Sequence, residues 1–204
     1  MNTLTICGTN LIGSVDALKG LNLKTRSKIL VVSDTHGNND VFEDVILTYG
    51  TDCDALVFCG DGICDLESYV RNAKTEPVLK NALPEIVAFA RGNGDPAVSR
   101  FLETQIMPST QFNICGKKVI VIHGHQVSVE YNLHGLINWA QSKGADMVCF
   151  GHTHVPEKIQ MGNVFCVNPG SCSRPRSDTD PTIATITVYK EKRDCKVQFF
   201  SLSF

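Results

Sequence analysis

Short apolar runs recur along this chain and each stops abruptly at polar residues: Ile29 to Val32, Ala55 to Cys59, Ile86 to Ala90, Lys118 to Ile122 and Met147 to Phe150. They are too short for helices and apolar at successive positions, which predicts strands buried on both faces in a parallel or mixed sheet. Helical periodicity falls between some of them. Asn39 or Asp40 is placed to cap a helix that turns Val41, Phe42, Val45, Ile46 and Tyr49 to one side, and Asn132 to open another with Leu133, Leu136, Ile137 and Ala140 inward. Asp95 before Pro96 has the form of a cap and first helical residue. Past Val155 the pattern turns to alternation in Val164 to Val167, Thr182 to Tyr189 and Lys196 to Leu202, broken by Gly162-Asn163 and by the 168–181 loop. These predict antiparallel strands that complete a second sheet layer, so the fold class is α/β.

A chain of 204 residues, 43% of them hydrophobic, is long enough for one packed core. Residues 1–27 have weak periodicity and three glycines, and are expected to be an extension of unassigned conformation before a single domain at 28–204. No run approaches the roughly 18 apolar residues of a membrane span. Asn2, Asn10 and Asp16 interrupt any secretory signal, so a soluble cytoplasmic protein is expected.

Nineteen basic against twenty-one acidic residues, with no single-sign run, give no nucleic-acid stripe and no membrane patch. Nine cysteines without a C-x-x-C pair suit reduced thiols. Cys59, Cys115, Cys149 and Cys166 sit in apolar runs as small buried hydrophobes, and a redox role for Cys59 and Cys64, which flank an acidic motif, is a minor reading. A homo-oligomer stays open.

The polar residues after the five runs share one chemistry. The endings are Ser33-Asp34-Thr35-His36-Gly37, Gly60-Asp61-Gly62, Gly92-Asn93-Gly94-Asp95, His123-Gly124-His125 and Gly151-His152-Thr153-His154, and they hold five of the six histidines. Ligands of open α/β sheets gather at the carboxyl ends of strands, so these residues are expected to converge. Two carboxylates, one amide oxygen and several imidazoles suit Mn(II), Fe(II), Zn(II), Co(II) or Ni(II), and are too rich in nitrogen for a dedicated Mg or Ca site.

The order D-x-H, G-D, G-N, H-G-H, G-H-T-H resembles the signature of the calcineurin-like metallophosphoesterases. Asn168-Pro169-Gly170-Ser171 followed by Pro175-Arg176 is similar to the small YfcE-like phosphodiesterase branch. The resemblance, over about residues 28 to 190, implies a two-layered β-sandwich of mixed sheets flanked by helices. It also implies two divalent transition-metal ions, manganese favoured, one held by Asp34, His36, Asp61 and His154 and the other by Asp61, Asn93, His123 and His152, with Asp61 bridging. The implied activity is hydrolysis of a small phosphate ester, a diester in preference to a monoester, by a metal-bridging hydroxide. Asp61, Asn93 and His125 are the expected catalytic residues, and Asn93, His125 and Arg176 the expected substrate contacts. Many relatives carry His or Cys where this chain has Gly94, which leaves the leaving-group acid unassigned.

Two rivals stand beside this reading. Gly92-Asn93-Gly94-Asp95-Pro96-Ala97 matches G-x-G-x-x-A, but Asp95 would oppose a pyrophosphate and Lys117-Lys118 stand where an acidic residue is wanted. A protein-binding scaffold like the retromer subunit of this fold, retaining its metals, is the stronger alternative, although this chain keeps Asp34, His36, Asp61 and Asn93. No G-x-x-x-x-G-K-[ST] is present, which excludes a P-loop nucleotidase.

Overall fold

A computed structural model describes residues 1–192 and 194–203. The chain runs β1 (Ile6–Gly8), β2 (Leu11–Ile12), α1 (Val15–Leu23), β3 (Arg26–Val32), α2 (Asn39–Tyr49), β4 (Ala55–Phe58), α3 (Ile63–Asn72), α4 (Pro77–Ala82), β5 (Ile86–Phe89), β6 (Val98–Ser99) and β7 (Thr104–Gln105). It continues through β8 (Ser109–Ile114), β9 (Lys117–Ile122), a 3₁₀ turn at His125–Val127, α5 (His134–Ser142), β10 (Met147–Cys149), β11 (Pro156–Met161), β12 (Val164–Pro169), β13 (Thr182–Tyr189) and β14 (Lys196–Ser201).

Because successive side chains of a strand point to opposite faces, a run that is apolar throughout must be covered twice. The first sheet, in the order β1-β2-β5-β4-β3-β13-β14, presents Ile29, Val31, Val57 and Ala88 on one face and Leu30, Val32, Leu56, Phe58 and Phe89 on the other. The former set packs on Val119, Val121, Cys149 and Val167 of the second sheet, ordered β11-β12-β10-β9-β8. The latter set is covered by Phe42, Val45 and Ile46 of α2, Leu66 and Val70 of α3, and Leu79 of α4. The outer face of the second sheet, with Ile120, Ile122 and Val148, receives Leu136, Ile137 and Ala140 of α5. The result is a sandwich of two mixed sheets between helices. Phe42 joins the helical layer to the sheet through edge contacts with Phe58 (5.5 Å) and Tyr69 (5.9 Å), and truncating such a buried ring costs about 3–5 kcal/mol.

Parallel pairing fixes where the chemistry gathers. β3, β4 and β5 are parallel in one sheet, and β9, β10 and β12 in the other, so the carboxyl ends of five ligand-bearing strands open on one edge of the sandwich.

The first 27 residues join the same body. β2 pairs antiparallel with β5 (Leu11 opposite Ala88), and α1, capped by Ser14 accepting from the Ala17 amide, lies against β8. Gly13 permits the crossing, because a Cβ there would stand 2.5 Å from the Glu85 carbonyl oxygen.

Three local expectations shift. The cap of α2 is Asn38, one residue before the expected Asn39 or Asp40, since the preceding turn closes early through the Asn38 amide to the Thr35 carbonyl. The cap of α5 is Leu133, with Asn132 one step outside and accepting from the His134 amide. Asp95 caps no helix of its own, and residues 98–105 form the β6–β7 ribbon instead. Its carboxylate accepts from the amides of Asp61, Gly62, Ile63 and Gly92 at 2.7–2.9 Å, so long-range bonds override the local signal. Asp95 thereby caps α3, whose own cap position is the side-chain-free Gly62.

All nine cysteines are unpaired. Burial pushes the Cys53 and Cys195 thiols up to about 11 and that of Cys166 to about 12, and raises Cys59, Cys149 and Cys172 as well. Cys64 is raised by burial and by Asp65 and Asp95, so neither cysteine flanking Asp61 has the thiolate character a redox role requires. Among the described residues no helix is long and apolar enough to cross a membrane.

Candidate metal centre

Five of the seven ligand candidates leave their strands by a sharp turn. Asp34 (φ 58°), His36 (48°), Asp61 (55°), His152 (72°) and His154 (60°) all adopt the left-handed conformation that side chains disfavour. Such strain persists only where surrounding bonds over-determine it, and here they are visible. The Asp34 amide donates to the Gly60 carbonyl and the His36 amide to the Asp61 carbonyl, so the first two loops are tied to each other. Ser171 Oγ donates to the Asp34 carbonyl at 2.7 Å and Ser173 Oγ to the Thr35 carbonyl at 2.8 Å. Asp65, reaching from α3, accepts from Thr35 Oγ1 and the Gly37 amide.

Glycines give the carboxylates room. A Cβ on Gly92 would fall 2.0 Å from Asp61 Oδ1, and one on Gly151 would fall 2.7 Å from Asp34 Oδ2. Asn168, fully buried, donates to the Gly151 carbonyl and to Thr153 Oγ1, which makes it a brace of the Gly151–His154 loop.

Six of the seven expected ligands are drawn together by their reactive atoms. Asp34, His36 and His154 form one group within 4.8 Å, and Asp34, Asp61 and His123 a second. Asn93 joins the second group, its Oδ1 lying 3.2 Å from His123 Nε2. Asp34 stands in both groups, whereas Asp61 reaches the first through His36 at 4.0 Å. His152 lies at the margin, its ring 5.1 Å from that of His123, its amide donating to Asp34 Oδ2, and its Nε2 turned to Glu130 Oε2 at 3.6 Å.

The donor set fits metal ions on three counts. Two nitrogens bound to one ion at about 2.1 Å stand about 3.0–3.4 Å apart. Two separations here fall in that range, 3.1 Å for His36 Nε2 to His154 Nε2 and 3.2 Å for His154 Nε2 to Asp34 Oδ1, and His123 Nε2 to Asp61 Oδ2 lies just beyond it at 3.5 Å. Asp34 Oδ1 is buried and accepts no hydrogen bond among the described residues, an arrangement that costs free energy unless a cation answers it. The far nitrogens of two imidazoles are locked by carbonyls, His123 Nδ1–H donating to Cys59 at 2.8 Å and His154 Nδ1–H to Arg174 at 2.5 Å. In the neutral ring that tautomer leaves the Nε2 lone pair facing inward.

The electrostatics are those of a site built for cations. Burial raises the Asp61 carboxyl, but the hydrogen bond and charge of His123, the Gly94 amide and His36 outweigh it and hold the group down at about 2. Burial lowers the His123 imidazole, and Asp61 and Asp34 together overcome this and raise it. Burial lowers His36, with His154 and Arg174 adding to it against Asp34 and Asp61. His125 is lowered by burial, His123 and His152; its ring stands 5.4 Å from that of His123, with a buried Nδ1 that meets no partner among the described residues.

The Arg176 amide donates to the His154 carbonyl, while its exposed guanidinium makes no ion pair among the described residues. Arg174 and Glu130, which adjoin His36 and His152, escaped the sequence reading because neither lies in a ligand motif. Arg91, whose charge bears on His125, precedes Gly92-Asn93 and was equally silent.

Comparison with known proteins places these features in a family. The model of the calcineurin-like phosphoesterase superfamily domain matches residues 28–191. The probable metallophosphoesterase YsnB of Bacillus subtilis is 27% identical over 172 residues, 84% of this chain and 89% of that one. The phosphodiesterase YfcE of Escherichia coli K12 is 29% identical over 157 residues, 73% of this chain and 81% of that one. The crystal structure of a predicted phosphoesterase from Streptococcus pneumoniae TIGR4 superposes with a TM-score of 0.66 at 25% identity, covering 87% of this chain and 91% of that one.

Proposed function

We propose, for a chain that belongs to the calcineurin-like phosphoesterase superfamily, that it is a two-metal phosphodiesterase acting on a small phosphate ester. The observation that carries this reading is the buried Asp34 Oδ1, without a hydrogen-bond partner among the described residues, ringed by the inward-facing nitrogens of His154 at 3.2 Å, His36 at 3.9 Å and His123 at 3.9 Å. Asp34, His36, Asp61 and His154 would hold one ion, and Asp61, Asn93, His123 and His152 the other. A pair of such ions, when bound, supplies Lewis acidity toward phosphoryl oxygens and lowers the pKa of water enough for attack near neutral pH.

The chain's own groups then have defined tasks. Asp34 and Asp61 offset only part of the cationic charge, so the cleft keeps a positive surplus that attracts a phosphate anion. Asn93 and His125 adjoin His123, at 3.2 Å and with ring centroids 5.4 Å apart, and the Arg176 amide donates to the His154 carbonyl, which supports all three as substrate contacts. Gly94 can donate no proton to a leaving group. A diester is favoured over a monoester because YfcE, 29% identical over 157 residues, is a named phosphodiesterase, and manganese heads the suitable metals. Nine unpaired thiols suit a reducing compartment, the cytoplasm.

The test is manganese-supplemented hydrolysis of a nitrophenyl phosphate monoester and the bis-nitrophenyl diester, with Asp61→Asn as control and elemental analysis of both proteins. Turnover of the diester that disappears in the control supports the proposal. Two bound ions without turnover of either ester would instead favour the scaffold reading, and equal inactivity without ions would end both.

A further inference from the structure

The imidazoles of this centre are not held alike. His123 and His154 each donate Nδ1–H to a backbone carbonyl and turn Nε2 inward. His152 has the opposite polarity. Its backbone amide donates to Asp34 Oδ2 at 3.2 Å, and its distal Nε2 faces Glu130 Oε2 at 3.6 Å. Nδ1, the nitrogen next to the backbone, is the one left for an ion.

The placement of Glu130 is built rather than incidental. The residue before it, Val129, is 5% exposed and packs against Gly124 of the His123-Gly124-His125 turn, where a Cβ would stand 2.7 Å from Val129 Cγ2. The Val129 amide approaches the Gly124 carbonyl, and Ser128 turns through a left-handed φ of 55° to bring the chain back. The same loop that carries His123 therefore delivers a carboxylate to His152 across the cleft. The Glu130 side chain is 40% exposed and 3.6 Å is longer than a hydrogen bond, so a small rotation of a side chain with that freedom closes the gap.

We infer that Glu130 is a positioning residue of the second ion: its carboxylate accepts Nε2–H of His152, selects that tautomer and presents Nδ1 as the ligand. A carboxylate behind a ligating imidazole fixes the ring and raises the basicity of the ligating nitrogen, and loss of such a partner typically weakens metal binding 10–100-fold. No proton or electron is transferred in this role. The inference rests on the two-ion reading above, and specifically on His152 serving the second ion.

Calorimetric titration of the full chain with Zn(II) tests it, since zinc is diamagnetic and also permits imidazole nitrogen NMR. The wild type should bind two ions, with His152 protonated on Nε2. Glu130→Ala should weaken the second ion by roughly 10–100-fold and leave the first unchanged. Glu130→Gln, which keeps an oxygen acceptor without the charge, should lie nearer the wild type. In a His152→Ala background Glu130→Ala should add nothing, because the two residues act as one unit. The inference is overturned if Glu130→Ala binds both ions as the wild type does, if it weakens both equally, or if its effect persists without His152. A wild type that binds fewer than two ions brings down the reading beneath it, and this one with it.

Discussion

Replacing Gly92 with alanine should unseat Asp61, and the structure says by how much. The new Cβ would stand 2.0 Å from Asp61 Oδ1, where ordinary contact begins at 3.4 Å, and 2.4 Å from the Asp61 amide nitrogen. The carboxylate must retreat by about 1.4 Å or the Gly92 loop must open. Neither is free, because Oδ1 accepts the Gly94 amide at 2.7 Å and the Gly92 amide is itself tied to Asp95 at 2.8 Å. A misplacement of about 1 Å at a reacting centre costs on the order of 100-fold in rate, which is about 2.7 kcal/mol, and overpacking costs a further 1–3 kcal/mol of stability. Gly94→Ala is the matched control. Its Cβ would stand 3.3 Å from the same oxygen, a contact absorbed by a few tenths of an ångström. Metal content, diesterase kcat/KM and thermal melting measured on both variants should therefore separate two substitutions only two residues apart, Gly92→Ala losing ions and at least 100-fold of activity, Gly94→Ala staying within several-fold. If Gly92→Ala keeps both ions and comparable turnover, Asp61 is not held where the geometry places it.

Two further predictions follow from the same site. With no donor at position 94, log kcat for a series of aryl diesters should fall steeply as the leaving-group pKa rises, and Gly94→His should flatten that slope; a flat wild-type line with chemistry rate-limiting refutes the missing acid. In the metal-free protein His123 keeps its proton to higher pH than an ordinary histidine while Asp61 is already ionised above about 2, so an entering ion must displace the His123 proton. Apparent Mn(II) affinity should then drop about tenfold per pH unit below that raised pKa and level off above it, and a pH-independent titration would contradict the coupling.

The sandwich and the ligand set were legible for one reason: apolar runs that end in Asp, His or Asn beside glycine name both the strands and the edge where they meet. What was illegible was decided at a distance. α3 carries Ile63, Leu66, Tyr69 and Val70 at helical spacing, yet its start gave no local signal because its cap is Asp95, more than thirty residues on. The same four amides drew Asp95 away from the helix that Asp95-Pro96 predicts. Residues 1–27 looked featureless because β2 is two residues long and its order comes from β5, which no local pattern announces. Glu130 and Arg174 lie outside every motif and are brought to the site by loop closure alone. Backbone strain is nearly as silent in a sequence, since the enrichment of Asp and His at left-handed φ is too weak to mark a position by itself.

That strain makes one prediction whose sign is diagnostic. In an ordinary strand or helix glycine is less stable than alanine by roughly 0.5–1 kcal/mol, because it loses more freedom on folding. At a left-handed position the balance reverses, since any Cβ there costs roughly 1–2 kcal/mol that glycine escapes. His36 has φ 48° and its ring, 22% exposed, packs 4.9 Å from that of His154, so His36→Ala and His36→Gly lose the same side-chain contacts and the same ligand nitrogen. Both should fail to hold the first ion. In metal-free protein, denaturant unfolding should nonetheless find the glycine variant more stable than the alanine variant by about 0.5–1 kcal/mol. An alanine variant equal to or more stable than glycine would mean that the turn at His36 is not strained in solution. If the predicted order appears, the fold sacrifices stability at a ligand that it could recover with a single glycine, and the retention of histidine there has to be explained by what the side chain binds.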